Sequence, residues 1–158
     1  MKTLALLFAL AACSHESSLA VTSTAFTNGG EIPTDFTCEG PDQQPALTWT
    51  GAPAATKAYA VIVDDPDAPA KTWVHLVAVT SATSLGSGMT YGTNDFGKAA
   101  WGGPCPPSGR HHYHFKVYAL DAPVGTPGVT KDDLLAQMKG HVLAQGELVG
   151  TYEKKHGG

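Results

Sequence analysis

Ala58 to Val63 (AYAVIV) is an almost unbroken apolar run that stops abruptly at Asp64-Asp65-Pro66-Asp67-Ala68-Pro69. Its lack of alternation predicts a strand covered on both faces rather than one with a wet side. Thr72 to Thr80 (TWVHLVAVT) reads as a second buried strand, with Trp73, His75, Val77 and Val79 sharing a face. Ala46 to Thr50 alternates. So does His112 to Leu120, with Tyr113, Phe115, Val117 and Ala119 on one face and His112, His114, Lys116 and Tyr118 on the other. Gly146 to Tyr152 is a closing strand. One helix is expected after Thr130, a capping residue followed by Asp132 and Asp133 and by a stripe of Leu134, Leu135, Met138 and Val142.

Composition sets the same limits. A chain of 158 residues, 42% hydrophobic, suits one domain with one core. Its 18 Gly and 11 Pro punctuate turns and favour short strands. A formal net charge of -4 with no basic block argues against a nucleic-acid partner and against an electrostatic membrane patch.

The N-terminus reads as an export signal. Lys2 supplies the positive charge, Leu4 to Ala9 the apolar stretch, and Leu10-Ala11-Ala12-Cys13 the tetrad of a bacterial lipobox, whose cysteine is lipidated. The stretch is shorter than the roughly 20 residues a transmembrane helix needs. The alternative is a plain secretory signal cleaved near Ala20. The expected organisation is a signal peptide at 1–12, a tether at 13–24 and a domain at 25–158, giving a periplasmic or cell-surface lipoprotein held to the membrane through its anchor only. Outside the cytosol, Cys38 and Cys105 are expected to pair, since neither has CxxC or metal-ligand neighbours.

Candidate chemistry gathers at strand ends and loops. Asp65 lies in a turn stiffened by Pro66 and Pro69 and reads either as an aimed carboxylate or as an ordinary surface residue. His75, among apolar neighbours, reads as a ligand or as a satisfied core histidine. His111 and Tyr113 point inward with Phe115 if the strand extends back to them. Gly102 to Pro107 (GGPCPP) could bring backbone N–H groups to an anion. No nucleophile elbow, zinc helix or phosphate loop is present, so no catalytic residue and no cofactor is assigned. His111, His112 and His114 cannot converge from one strand, and no metal site is expected.

DDPDAP, TWVH and GGPCPPSGRHHYHFKVYALD, in that order, resemble the phosphatidylethanolamine-binding protein (PEBP) family, in particular its bacterial, Raf-kinase-inhibitor-like branch. The likeness runs from Phe26 (FTNGGEIPTDFTCEG) to the end (GHVLAQGELVGTYEK). It implies a mostly β fold, a Greek-key β-sandwich with one or two short peripheral helices. It also implies a pre-formed pocket for phosphate-like or carboxylate anions, including phospholipid head groups. Carried over by motif, the ligand-binding residues are Asp65, Pro69, Trp73, His75, Gly103, Pro106 with Pro107, His111 and Tyr113. Two imidazoles, a phenol and backbone N–H groups would donate to an oxyanion, with Asp65 supporting the histidines, so binding is expected to strengthen as pH falls through the histidine range. Ser81 to Tyr91 is short for the bacterial branch, which implies an open rim. The competing readings are an inhibitor of a protease or kinase and a hydrolase using the same Asp/His pocket. A homodimer and an unidentified protein target stay open.

Lipidation is directly testable. Expressed in a bacterium with lipoprotein processing, the chain should fractionate with membranes and carry its acyl chains on Cys13, because several chains anchor firmly where one is marginal. Soluble protein beginning near Ala20 would overturn this.

Overall fold

The computed structural model describes residues 17–86, 88–125 and 127–155. Cys13 and the signal segment 1–12 lie outside them. The apolar run forms β4 (Ala58–Asp65), buried at every position. Two long strands flank it antiparallel, β5 (Trp73–Thr80) on one side and β7 (His111–Leu120) on the other. With β1 (Ser17–Ser18), β6 (Thr90–Tyr91) and β8 (Val142–Tyr152) they make a six-stranded sheet in the order β1-β8-β7-β4-β5-β6. It is mixed, since β1 runs parallel to β8.

Both faces of this sheet are covered. On one, Val61, Val63, Phe115 and Val117 pack with Trp49 and Val21 from a two-stranded sheet of β2 (Ala20–Thr22) and β3 (Thr48–Thr50). On the other, Ala60, Ile62 and Val77 pack with Leu134 and Met138 of α1 (Lys131–Met138). The expected mostly β fold with short peripheral helices is therefore present. Among the described residues the helices are α1 and a 3-10 turn at Thr34–Phe36.

Two expectations are corrected. The tether at 13–24 is, over its described part, folded: β1 pairs with β8, β2 pairs with β3, and Leu19 between them is 3% exposed. The small polar residues of this stretch hide two core side chains, Leu19 and Val21. Gly146 of β8 is what admits Leu19, because a Cβ there would lie 2.2 Å from the Leu19 carbonyl oxygen. Cleavage near Ala20 would remove β1 and split β2. The helical stripe also ends early. Leu134 and Met138 are buried, but Leu135 is exposed and Val142 begins β8. Gly140, at φ 83°, breaks the helix just after its last turn.

Cys38 and Cys105 are bridged, with Cα atoms 5.4 Å apart. Beside the bridge, the Cys38 N–H donates to the Pro104 carbonyl at 3.1 Å. The early loop is thus clamped to the Gly/Pro loop twice. A bridge spanning 67 residues should contribute about 4 kcal/mol through loss of unfolded-chain entropy. Urea unfolding of the C38S/C105S double variant should show a loss of about that size, and an unchanged midpoint would refute it.

Candidate functional site

The site begins with an irregularity in β5. Val63 of β4 faces Leu76, yet the next residue, Asp64, faces Val74, so His75 is an extra residue in β5. A bulge of this kind re-aims side chains. Leu76 and Ala78 belong to the face under β2–β3, whereas Val74, Val77 and Val79 belong to the face under α1. The expected sharing of a face by Trp73, His75, Val77 and Val79 is corrected accordingly. Trp73 and His75 stay together at a cavity while the two valines face away.

That cavity, of about 290 Å³, lies where the ends of β4, β5 and β7 meet two Pro-rich loops. Asp65, the last residue of β4, is 3% exposed. One of its oxygens accepts from His111 Nδ1 at 2.7 Å and the other from the Asp67 N–H at 2.8 Å. His112, the next residue along β7, points outward and grips Asp67 with both its N–H and its Nδ1, at 2.8 and 2.7 Å. Consecutive strand residues thus hold the DDPDAP loop from inside and outside. This also separates the histidines: His111 and His112 go to different carboxylates, and His114 goes to Glu147. Hydrogen bonding to His112 holds the Asp67 carboxyl below its ordinary range.

His75 has a defined tautomer. Its Nδ1 lies 2.6 Å from the Gly102 carbonyl oxygen, which can only accept, so Nδ1 carries the proton and Nε2 is left for the cavity. The ring sits among Tyr113, Phe96 and Trp101, at centroid separations of 5.2, 5.5 and 6.4 Å. Burial pushes its pKa below the ordinary histidine range, outweighing the Gly102 contact and the field of Asp65. His75 is therefore neutral at neutral pH and accepts at Nε2, which corrects the expectation of two donating imidazoles. Tyr113 is fully buried, and among the described residues its Oη has no hydrogen-bond partner. Burial and then Asp65 push its pKa upward, so it remains a phenol able to donate.

Eight of the nine candidate ligand residues line this cavity: Asp65, Pro69, Trp73, His75, Pro106, Pro107, His111 and Tyr113. Gly103 does not. It packs beneath the loop, where a Cβ would strike the Asp42 side chain at 2.0 Å and the Phe36 carbonyl oxygen at 2.4 Å. The N–H nest expected of GGPCPP is thin, because Pro104, Pro106 and Pro107 have no N–H and that of Gly102 donates to the His75 carbonyl. The 81–91 loop lies along β3, where the Trp49 and Leu85 N–H groups bond to Thr83 and Leu47, and its described residues do not border the cavity.

The rim is formed instead by Phe96 and Lys71, which sequence reasoning missed. Phe96 is placed by Asn94, whose oxygen accepts from the N–H groups of Phe96 and Lys98 while its amide donates to the carbonyls of His75 and Ala100. The available signal was the Asn-Asp-Phe-Gly sequence, a composition suited to an Asx turn. Lys71 lies 5.5 Å from the Trp73 ring centroid and pairs with Asp95.

Fold and site together describe a small β-rich domain with a polar-floored, apolar-walled pocket at one end of its sheet. Residues 22–153 match the family model for phosphatidylethanolamine-binding protein, and the chain belongs to this family. It is 42% identical over 144 residues to a UPF0098 protein of Methanothermobacter thermautotrophicus, covering 82% of this chain and 95% of that one. It is 43% identical over 150 residues to a UPF0098 protein of Pyrococcus horikoshii, covering 84% and 76%. Among solved structures, a PEBP homologue of Chlamydia trachomatis superposes with a TM-score of 0.83 at 35% identity, covering 87% of this chain and 99% of its own. E. coli YbcL, described as a member of the mammalian PEBP family, gives 0.79 at 34% identity, covering 89% and 99%. Family membership points to a ligand-binding or regulatory module.

Because folded His75 is neutral where an unfolded histidine would charge, the unfolded chain binds more protons below the ordinary value. Stability should therefore fall as pH drops below about 6.5, by up to about 1.4 kcal/mol per pH unit from this group, until its lowered folded pKa is reached. Urea midpoints across that window should be less pH-dependent in His75→Gln than in the parent. Equal slopes would refute the assignment.

Proposed function

We propose that the protein is a binding or regulatory module whose cavity takes phosphate-like groups, free or as phospholipid head groups, and that an acylated Cys13 holds it on the outer side of a bacterial membrane. The observation that carries this reading is the cavity floor. A buried Asp65–His111 pair lies beside Tyr113, whose Oη has no partner among the described residues, within apolar walls from Trp73, Phe96, Pro69 and Pro106. With Nδ1 held by Asp65, protonation of His111 would leave an Nε2–H for the ligand and add a charge. Tyr113 adds a neutral donor. Donors fixed before binding reduce the ordering cost of association. Binding is favoured over covalent catalysis by the described lining, in which Cys105 is bridged and, among the described residues, no Ser or Thr is found.

An acylated Cys13 would be separated from β1 by Ser14, His15 and Glu16 alone. Processing at Cys13 would keep every described residue, β1 and β2 included.

A double-mutant cycle tests the site. His111→Ala should weaken binding of inorganic phosphate at least about tenfold, the size of one lost charge-assisted hydrogen bond. It should also destabilise the domain by about 3 kcal/mol, because Asp65 is left buried without its partner. Adding Asp65→Asn should restore much of the stability but none of the affinity. Calorimetric titration and urea unfolding read the two quantities separately. Unchanged phosphate affinity in His111→Ala would place the anion elsewhere.

A further inference from the structure

The polar groups of the cavity are not all donors. Tyr113 Oη can donate, and His111 Nε2 donates when the ring is paired as an imidazolium with Asp65. His75 is different. Its proton is committed to the Gly102 carbonyl 2.6 Å away, and three surrounding aromatic rings oppose a second one, so its cavity-facing nitrogen presents a lone pair. Asp65 likewise offers only lone pairs. Of the loop residues that line the cavity, Pro69, Pro106 and Pro107 have no N–H and Lys71 is engaged with Asp95 at 2.8 Å; the N–H groups of Ala68, Ala70 and Cys105 can meet further anionic oxygens but do not change what His75 Nε2 presents.

A fully deprotonated anion here would set one of its oxygens against the His75 lone pair. A buried acceptor left facing another acceptor loses its hydration and gains nothing. A group with both anionic oxygens and one remaining O–H fits instead, with anionic oxygens on Tyr113 and His111 and the O–H donated to His75 Nε2. From this census we infer that the cavity selects the singly protonated form of a phosphomonoester or of phosphate, and that His75 is the residue that reads the proton. The inference rests on the anion-pocket reading above and narrows it to phosphomonoesters and free phosphate, setting aside the phosphodiester head groups that the broader reading admitted. Trp73, Phe96 and Pro69 form walls suited to an organic substituent on that phosphate.

The charged and titratable groups around His75 are Asp64 and Asp65 from β4, His111 and Tyr113 from β7, Lys71 from the loop before β5 and Asp42 from the early loop. Their titration acts on any anion in the cavity. A comparison of two probes cancels it. Methyl phosphate has a second ionisation near about pH 6. Dimethyl phosphate is a monoanion with no proton to donate at any pH used.

Calorimetric titration of both probes against the intact chain from about pH 5.5 to about pH 8 spans that ionisation. Methyl phosphate should bind at least about tenfold more tightly at the acid end, and the affinity ratio should fall about tenfold per pH unit above about 6 as the monoanion disappears. A purely steric penalty on the second methyl group would not vary with pH. His75→Gln, whose amide can donate as well as accept, should flatten the ratio, with its urea midpoint monitoring the fold. A ratio independent of pH in the parent overturns the selectivity while leaving the anion pocket in place. So does dimethyl phosphate binding accompanied by proton uptake, since His75 would then charge. Failure of both probes to bind overturns the pocket reading and the selectivity with it.

Discussion

Two adjacent carboxylates, Asp64 and Asp65, end the most deeply buried strand of the protein, at 1% and 3% exposure. Carboxylates cannot remain charged at such depth without partners. Because strand neighbours face opposite ways, each must be answered from a different side. Asp64 meets Lys116 of β7 and Lys131 at the start of α1, at 3.0 and 2.5 Å. Asp65 meets His111. One strand end thereby fixes where the helix docks and where β7 begins, and it leaves a histidine at the floor of the cavity.

Much of this was readable from residue order. The unbroken AYAVIV run marked the central strand because burial on both faces leaves no polar positions. The alternation of HYHFKVYAL gave the inward set through Phe115, Val117 and Ala119, all fully buried. The Asp, Trp-x-His, Pro-Pro and His-x-Tyr motifs predicted eight residues that do converge on the cavity. Local pattern suffices where each face of an element has a uniform environment.

The rest depended on partners distant in sequence. Nothing local distinguishes SHESSLAVTST from a tether, since Leu19 becomes core only when β8 offers a glycine beneath it and Val21 only when β2 pairs with β3. Nothing around His75 states which nitrogen holds its proton, because that is decided by a carbonyl 27 residues on. Gly103 looked like a ligand contact and is a packing contact, a distinction made by the early loop lying against it. Phe96 reaches the rim through Asn94, in a stretch without periodicity to read.

The bulge in β5 has a further meaning. Side chains along a strand are assigned to faces by parity, and one unopposed residue reverses that assignment for everything on one side of it. His75 occupies the cavity because β5 holds one residue more than β4 across this stretch. What specifies the pocket is therefore partly a tally. A relative with the same Trp-x-His signature and the same strand length but regular, unbulged pairing would keep the lettering and set its histidine opposite the position of Asp64, toward the helix. Motif identity and pocket identity can come apart in this fold, and the register through a few residues of one strand separates them.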